Sequence, residues 1–203
     1  MKHTNRKILI ISDTHFGDPR CHIKEVTECI ETLKFDSIVL NGDIVDINYM
    51  IKHGIKTLKE HWPYIKRIKK ALKGKEKIYI IGNHDRYNWL LLPFGWLFGT
   101  KIRQRVRLNG YIIEHGDAIK LWLQIRRIFN KSIIIYTDGG ETGEEDLHNN
   151  TMELAKIKGH PFIIGHSHVP RVEPGLLYDG GDWVKNDTYL IMKHGCCVKL
   201  RYF

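Results

Sequence analysis

The sequence predicts an α/β protein, and three observations carry that prediction. Five short apolar, β-branched runs recur along the chain, stretches with apolar residues at helical spacing separate several of them, and every run stops at a motif rich in histidine and carboxylate. Continuous apolar runs of this length read as strands buried on both faces, the form that strands take when helices cover a parallel sheet. Polar residues just past such strands are where open α/β sheets place their active sites.

Lys7-Ile-Leu-Ile-Ile11 is the first strand and ends at Asp13-Thr-His15. Residues 22–34 carry Ile23, Val26, Ile30 and Leu33 at helical spacing, with Lys34 before the next strand. Ser37-Ile-Val-Leu40 is the second strand and leads to Gly42-Asp43. After Asp46 the pattern predicts a helical stretch over about 53–73, interrupted or kinked near Pro63 and closed by Gly74. Its Lys66, Arg67, Lys69, Lys70 and Lys73 read as a solvated face at a helix C-terminus, where cations are favoured, ahead of a nucleic-acid patch. Lys77-Ile-Tyr-Ile-Ile81 is the third strand and delivers Gly82-Asn-His-Asp85.

Residues 101–114 predict a hairpin around Asn109-Gly110, a strong two-residue turn signal. Along its first arm Lys101, Arg103, Arg105 and Arg107 alternate with Ile102, Gln104, Val106 and Leu108, which would put four cations on one face. That face either steers phosphates or guards an edge strand with charge. Tyr111-Ile-Ile113 precedes His115-Gly-Asp117. Residues 145–158 read as helix, stopped by Gly159, and Phe162-Ile-Ile164 then leads to Gly165-His-Ser-His168. Thr188–Met192 and Cys197–Phe203 read as two late strands joined at His194-Gly195. Thr137–Gly143 is the expected mobile loop, and there is no internal repeat or low-complexity segment.

At 203 residues the chain suits one α/β domain, 1–203, with a full core. Hydrophobic content of 42% and charged content of 27% are those of an ordinary globular protein. The N-terminal residues lead straight into a strand without an apolar signal segment, and no stretch reaches the eighteen or so apolar residues of a spanning helix. Cys21, Cys29, Cys196 and Cys197 form no Cys-X-X-Cys pair and are expected as free thiols in a reducing cytoplasm. The net charge of +9 favours a phosphorylated or otherwise acidic partner, although solvated surface lysines account for most of it.

Taken singly, each polar motif reads as a turn residue or a surface histidine. Five of them, in order and each at a strand end, argue for one shared site with enough oxygen and nitrogen ligands for two divalent metal ions sharing a carboxylate. Carboxylate, imidazole and amide donors without thiolate suit Mn, Fe, Zn, Co or Ni. Mn is the expected ion, because Mg prefers oxygen-rich sites.

The ordered set Asp-X-His, Gly-Asp, Gly-Asn-His-Asp, a later His and Gly-His-X-His resembles the calcineurin-like metallophosphoesterase superfamily, over residues 7 to 168 and with no element missing. The resemblance implies a four-layer α/β/β/α sandwich, two central sheets flanked by helices, where alternation alone would allow a simpler doubly wound sheet. It implies that Asp13, His15 and His168 hold one metal, that Asn83, His115 and His166 hold the other, and that Asp43 bridges them. It implies hydrolysis of a phosphodiester or pyrophosphate bond by metal-activated hydroxide. His84 would stabilise the transition state or protonate the leaving oxygen, and Asp85 would orient it. Acid catalysis of that kind is typically worth about 10²–10⁴ in rate.

Two segments bear on the substrate. Trp89–Phe98 is apolar, and Ile119–Phe129 is basic and amphipathic; together they mark 88–130 as a lid or insertion within the domain. They either pack on each other or on a second subunit, or they meet an amphiphilic substrate and the membrane surface. The plan is also similar to the UDP-2,3-diacylglucosamine hydrolases, which share Asp-X-His, His-Gly-Asp and a hydrophobic helical insertion, with Gly181-Asp-Trp183 alike as well; they commonly carry Arg where this chain has His84. A phosphorylated small molecule or a lipid-linked phosphate is therefore the expected substrate, with peripheral membrane contact. The alternative is a nuclease, since double-strand-break repair nucleases share the Gly-Asn-His-Asp form, but this chain lacks room for their DNA-capping domain and nucleic acid is not favoured. Protein Ser/Thr phosphatases carry Asp-Arg-Gly where Asp43 is followed here by Ile-Val-Asp-Ile. A non-catalytic scaffold of the same fold is the weakest reading, because every expected ligand is present. The oligomeric state stays open.

Overall fold

The computed structural model describes residues 6–85, 99–100, 102–119, 142–193 and 197–203. Two mixed sheets lie face to face. The first has six strands in the order β11-β10-β1-β2-β3-β4, and the second has five in the order β5-β6-β7-β9-β8. Their ranges are β1 Lys7–Ile11, β2 Ser37–Asn41, β3 Glu76–Ile80, β4 Ile102–Arg103, β5 Arg105–Leu108, β6 Tyr111–Glu114, β7 Phe162–Ile164, β8 Arg171–Glu173, β9 Leu177–Asp179, β10 Thr188–Lys193 and β11 Cys197–Tyr202. The helices are α1 Ile23–Thr32, α2 Ile47–His53, α3 Lys56–Ala71 and α4 Thr142–Lys158.

Strand alternation explains the layers. Ile8 and Ile10 of β1 point into a core shared with Val39, Ile80, Ile113, Ile163 and Leu190, which fills the space between the sheets. Their neighbours Leu9 and Ile11 point the other way, into a second core closed by Val26 and Ile30 of α1 and Ile65 and Ile68 of α3. On the far side, Ile112, Phe162, Ile164 and Leu177 pack against Leu147 and Ala155 of α4. Both faces of each sheet are thus covered, and the continuous apolar runs have no polar face to show. This is the expected four-layer α/β/β/α sandwich.

The five strands that precede the motifs form as anticipated, and three differences are local. The helical stretch expected over 53–73 forms as α3, which runs unbroken through Pro63, and an additional short helix, α2, precedes it across Gly54, with φ +90. Ile65 and Ile68 anchor the turn beyond the proline in the core, and that burial outweighs one lost backbone hydrogen bond. The expected first arm of the hairpin is split. Ile102–Arg103 pairs in parallel with β3 in the first sheet, while Arg105–Leu108 pairs with β6 in the second, so the chain crosses between sheets at Gln104 and Arg103 is parted from Arg105 and Arg107, Lys101 lying outside the described residues. The hairpin turn itself is as read, with Asn109 and Gly110 both at positive φ.

Within the span 88–130, residues 102–114 are integral to both sheets. The apolar segment 89–98, the amphipathic segment after Ile119, the loop expected at 137–141 and the turn at His194-Gly195 lie outside the described residues, and Thr142 and Gly143 open α4. Ile119 is buried. Cys21 and Cys29 are buried free thiols. Among the described residues no helix is long and apolar enough to cross a membrane.

Candidate metal centre

The strands β1, β2 and β3 run parallel, as do β6, β7 and β9, so the loops after their C-terminal ends gather at one edge of the sandwich. The loops after β1 and β2 are tied by backbone bonds, Asp13 N to Gly42 O at 3.1 Å, His15 N to Asp43 O at 2.9 Å and Phe16 N to Ile44 O at 2.9 Å. The second sheet joins through His166 N, which donates to Asp13 Oδ2 at 3.0 Å, and through Trp183 N, which donates to Asp13 O at 3.2 Å.

The backbone is turned into the left-handed region where these side chains must converge. Asp13, His15, Asp43, His166 and His168 all have positive φ, and the other non-glycine residues described with it are Asn109 and Asp187. Such conformations cost of order 1–3 kcal/mol each and cluster where function over-determines them. The glycines of the motifs answer to the same crowding. A Cβ on Gly42 would run into the ring of His115, one on Gly82 into the backbone and carboxylate of Asp43, and one on Gly165 into Ser12 and Asp13.

Asp13, His15 and His168 offer ligand atoms within 4.8 Å of one another, and so do Asp43, His115 and His166. Asp13 Oδ1 lies 3.5 Å from His168 Nε2 and 4.0 Å from His115 Nε2, between the two groups. Asp43 Oδ2 is 3.2 Å from His115 Nε2, and its Oδ1 accepts from His84 N at 2.7 Å. Asn83 Oδ1 is 3.2 Å from His115 Nε2. Every ligand anticipated from the sequence is therefore brought to one place.

Two observations fit these residues to divalent metals. Asp13 Oδ1 and His15 Nε2 are buried without a hydrogen-bond partner, which a protein tolerates rarely. Three imidazoles commit Nδ1 to an acceptor behind them, His15 to Asp46 at 3.0 Å, His115 to Asn41 O at 3.1 Å and His168 to Asp182 at 2.8 Å, so that each turns Nε2 inward. That is the outer-shell arrangement that fixes tautomer and ring angle in histidine metal sites.

The electrostatics agree. Burial raises the Asp43 carboxyl, but His115, His15 and His84 outweigh it and hold the group below the usual carboxylate range. Burial disfavours a charged His115, yet Asp43 and Asp13 push the imidazole up to about 10. Protons and dications compete for the same nitrogen, and metal binding here releases protons.

His84 needs a correction. The sequence pairs it with its neighbour Asp85, but Asp85 is fully buried and accepts from Val45 N at 3.1 Å, Gly82 N at 3.2 Å, Tyr79 Oη at 3.2 Å and Ile44 N at 3.4 Å. Asp85 pins the loops after β2 and β3 together. The hydrogen bond to the His84 ring comes from Asp46, whose Oδ1 lies 3.0 Å from Nδ1 and raises the pKa of the imidazole. The Oδ2 of Asp46 takes His15 Nδ1, and its Oδ1 also caps α2 by accepting from Tyr49 N at 2.7 Å. With both oxygens so engaged, Asp46 is a brace behind His15 and His84. Sequence reasoning missed the roles of Asp46 and Asp182, although it singled out Gly181-Asp-Trp183; the local signal for Asp46 was its place as the N-cap of the helix after Gly42-Asp43. Behind the last motif, Ser167 Oγ donates to Asp179 at 2.7 Å and His148 of α4 meets the same carboxylate at 2.9 Å.

Comparison with known proteins agrees with this geometry. A family model described as calcineurin-like phosphoesterase matches residues 6–193. No curated protein matches the chain. Among solved structures, a metallophosphoesterase from Sphaerobacter thermophilus aligns with TM-score 0.50 and 16% identity, covering 98% of this chain and 88% of that one. The protein TT1561 of Thermus thermophilus aligns with TM-score 0.51 and 11% identity over 98% and 99%. A dimetal phosphatase from Danio rerio aligns with TM-score 0.50 and 10% identity over 96% and 98%. At such identities the likeness is one of fold.

Proposed function

The chain belongs to the calcineurin-like phosphoesterase family, a family of metal-dependent phosphoesterases, and on that premise we propose that it hydrolyses a phosphodiester or pyrophosphate bond at a two-metal centre. In this reading Asp13, His15 and His168 hold one ion, Asn83, His115 and His166 hold the other, and Asp43 is shared. The observation that carries the reading is the inward convergence of His15, His115 and His168 Nε2 on Asp13 and Asp43, each ring pinned through Nδ1. Mn is the proposed ion, from a donor set rich in imidazole.

When bound, two dications neutralise charge on the phosphoryl oxygens and make water acidic enough to attack phosphorus near neutral pH. The chain's own residues do the rest. His84, half-buried beside the ligands, keeps its Nδ1 proton on Asp46, which raises the pKa of the ring and favours the doubly protonated imidazolium, and the second proton, on Nε2, is the one it would deliver to the leaving oxygen. Asp46 aims both His84 and His15, so the acid and one ligand share a common orienting group.

A lipid-linked phosphate as substrate, with peripheral contact at the cytoplasmic face of a membrane, is the finer part of the proposal. It is supported by the composition of 89–98 and 119–129, and the location by the buried free thiols. Chelation should abolish hydrolysis of an aryl phosphodiester, and Mn should restore it better than Mg. Protein that carries both ions yet cleaves no phosphodiester, phosphomonoester, single-stranded DNA or nucleotide-sugar lipid would end this reading; cleavage of single-stranded DNA alone would shift it to a nuclease.

A further inference from the structure

We propose that the cleft beside His115, rimmed by Arg103 and Arg105, is a subsite for a second phosphoryl group, one that the substrate carries beyond the phosphoryl under attack. The inference rests on the phosphoesterase reading of the adjoining centre, and it narrows the substrate class to pyrophosphate-linked compounds.

The cleft has a volume of about 510 Å³, and Gly82 and His115 are among the residues that line it. Small-molecule sites span roughly 300–1,000 Å³, so there is room for a phosphate with an organic group attached. Ile81, Ile102 and Ala118 supply an apolar wall for that group. The crossing of the chain between the sheets supplies the positive charge, in a cleft that the carboxylates of Glu114 and Asp117 also line. Arg103 ends β4 in one sheet and Arg105 begins β5 in the other, and both line the same cleft. Among the described residues no carboxylate pairs with Arg103.

Arg105 is held in place from behind. It lies directly opposite Glu114 in the β5–β6 ladder, and the guanidinium sits 2.9 Å from Glu114 Oε2. Glu114 is 3% exposed and neither carboxylate oxygen has a hydrogen-bond partner, so what holds Arg105 is the charge of the ion pair, and the burial of that carboxylate is costly unless it serves to fix something. The Arg105 side chain is 63% exposed, and a guanidinium has five N–H donors, so one carboxylate leaves donors over for an anion. Glu114 is also the residue before His115. The anchor of the arginine and a ligand of the centre are thus consecutive on β6 and its loop, which fixes the distance between the two phosphoryl positions.

Both arginines lie on sheet edges, where exposed charge can simply block pairing with another chain. Arg107 separates the two roles. It is exposed on the same edge strand and on the same face as Arg105, but it does not line the cleft.

The test compares bis(4-nitrophenyl) phosphate with the corresponding bis(4-nitrophenyl) pyrophosphate on the Mn-loaded full chain. Arg105→Met and Arg103→Met should each lower kcat/KM for the pyrophosphate by about tenfold more than for the diester, chiefly through KM. Arg105→Lys should recover part of that ratio, and Arg107→Met should leave the ratio within about twofold of wild type. Equal losses on both substrates, or an equal effect of Arg107→Met, would overturn the subsite. So would wild-type protein that cleaves the diester and not the pyrophosphate, although the metal centre would stand. Cleavage of neither substrate by metal-loaded protein would instead send the question back to the proposed diesterase or pyrophosphatase activity, which the wider panel of a phosphomonoester, single-stranded DNA and a nucleotide-sugar lipid then decides. Because Arg103 and Arg105 lie in different sheets, one folding defect cannot mimic both effects.

Discussion

The half of the centre carried by the six-stranded sheet holds Asp13, His15 and Asp43 at most 5% exposed, laced together by main-chain bonds between the loops after β1 and β2, and adds a less buried Asn83 on the loop after β3. The half from the five-stranded sheet brings imidazoles alone, and it ends in His168, whose side chain is 34% exposed and leans on Asp182. The negative charge of the centre therefore belongs to one sheet and is fixed by backbone, while the other sheet supplies imidazoles, His115 aimed by the main chain of Asn41 and His168 by the side chain of Asp182. Damage to the two halves should differ in kind. A lost carboxylate on the first sheet removes what both ions share, whereas a lost imidazole on the second removes a donor to one.

Asp43→Ala should be the most damaging change. It deletes the shared carboxylate, and kcat/KM for an aryl phosphodiester should fall by more than about 10³-fold, over 4 kcal/mol of transition-state stabilisation. Metal analysis should find both ions depleted. His168→Ala, on the second sheet, should deplete one ion and keep the other; equal loss in the two variants would erase the distinction between the halves.

His84→Ala tests whether the first sheet carries chemistry as well as charge. Both ions should remain bound while kcat falls by about 10²–10⁴-fold and KM moves less. Loss of metal in this variant would make His84 a ligand.

Asp46→Asn should fall between a ligand change and a distant one, about 10–100-fold in activity, because it loosens His15 and His84 together. The pH profile separates it from a merely structural change. The Asp46 hydrogen bond raises the His84 pKa, so the acid stays protonated to higher pH. Weakening that bond lowers the pKa, and the alkaline limb of kcat should move to lower pH. A limb that moves upward, or stays in place, would show that Asp46 does not control the acid.

Much of the fold was legible because strands buried on both faces leave a plain signature, and the ordered motifs at their ends located the ligands. What local pattern could not supply was long-range pairing. Asp46 and Asp182 act through rings 31 and 14 residues away in sequence, respectively. The transfer of the chain from one sheet to the other leaves only Gln104 as its mark, one polar residue in the apolar series of Ile102-Arg-Gln-Arg-Val106, since both strands keep period two. Pro63 misled for the opposite reason. A local rule predicts a break, and core packing on either side overrides it. Asp85 was misplaced by adjacency, since the residue next to His84 in sequence turns its side chain to the opposite side of the loop.

Asp85 gives the smallest expected effect on catalysis and a distinct one on folding. Its carboxylate sits between the loops after β2 and β3 and accepts from four donors, Ile44 N, Val45 N, Gly82 N and Tyr79 Oη. Asparagine keeps the shape but offers one acceptor oxygen, and its amide must face donors, so Asp85→Asn should lose about 2 kcal/mol in urea unfolding of chelated protein. Burial and the charge of Asp43 push the Asp85 carboxyl up to about 7, against the pull of the Val45 and Gly82 N–H groups. A carboxyl whose folded pKa lies above its unfolded value binds protons more tightly when folded, so its contribution to stability declines as pH rises from about 4 towards 7. The wild type should lose more stability than Asp85→Asn over that interval, and the gap between them should narrow. With metals restored, the variant should keep its ions and turn over a phosphodiester within about tenfold of wild type. A loss as deep as that of His84→Ala, with folding intact, would return Asp85 to the chemistry and undo its assignment as the pin between two loops.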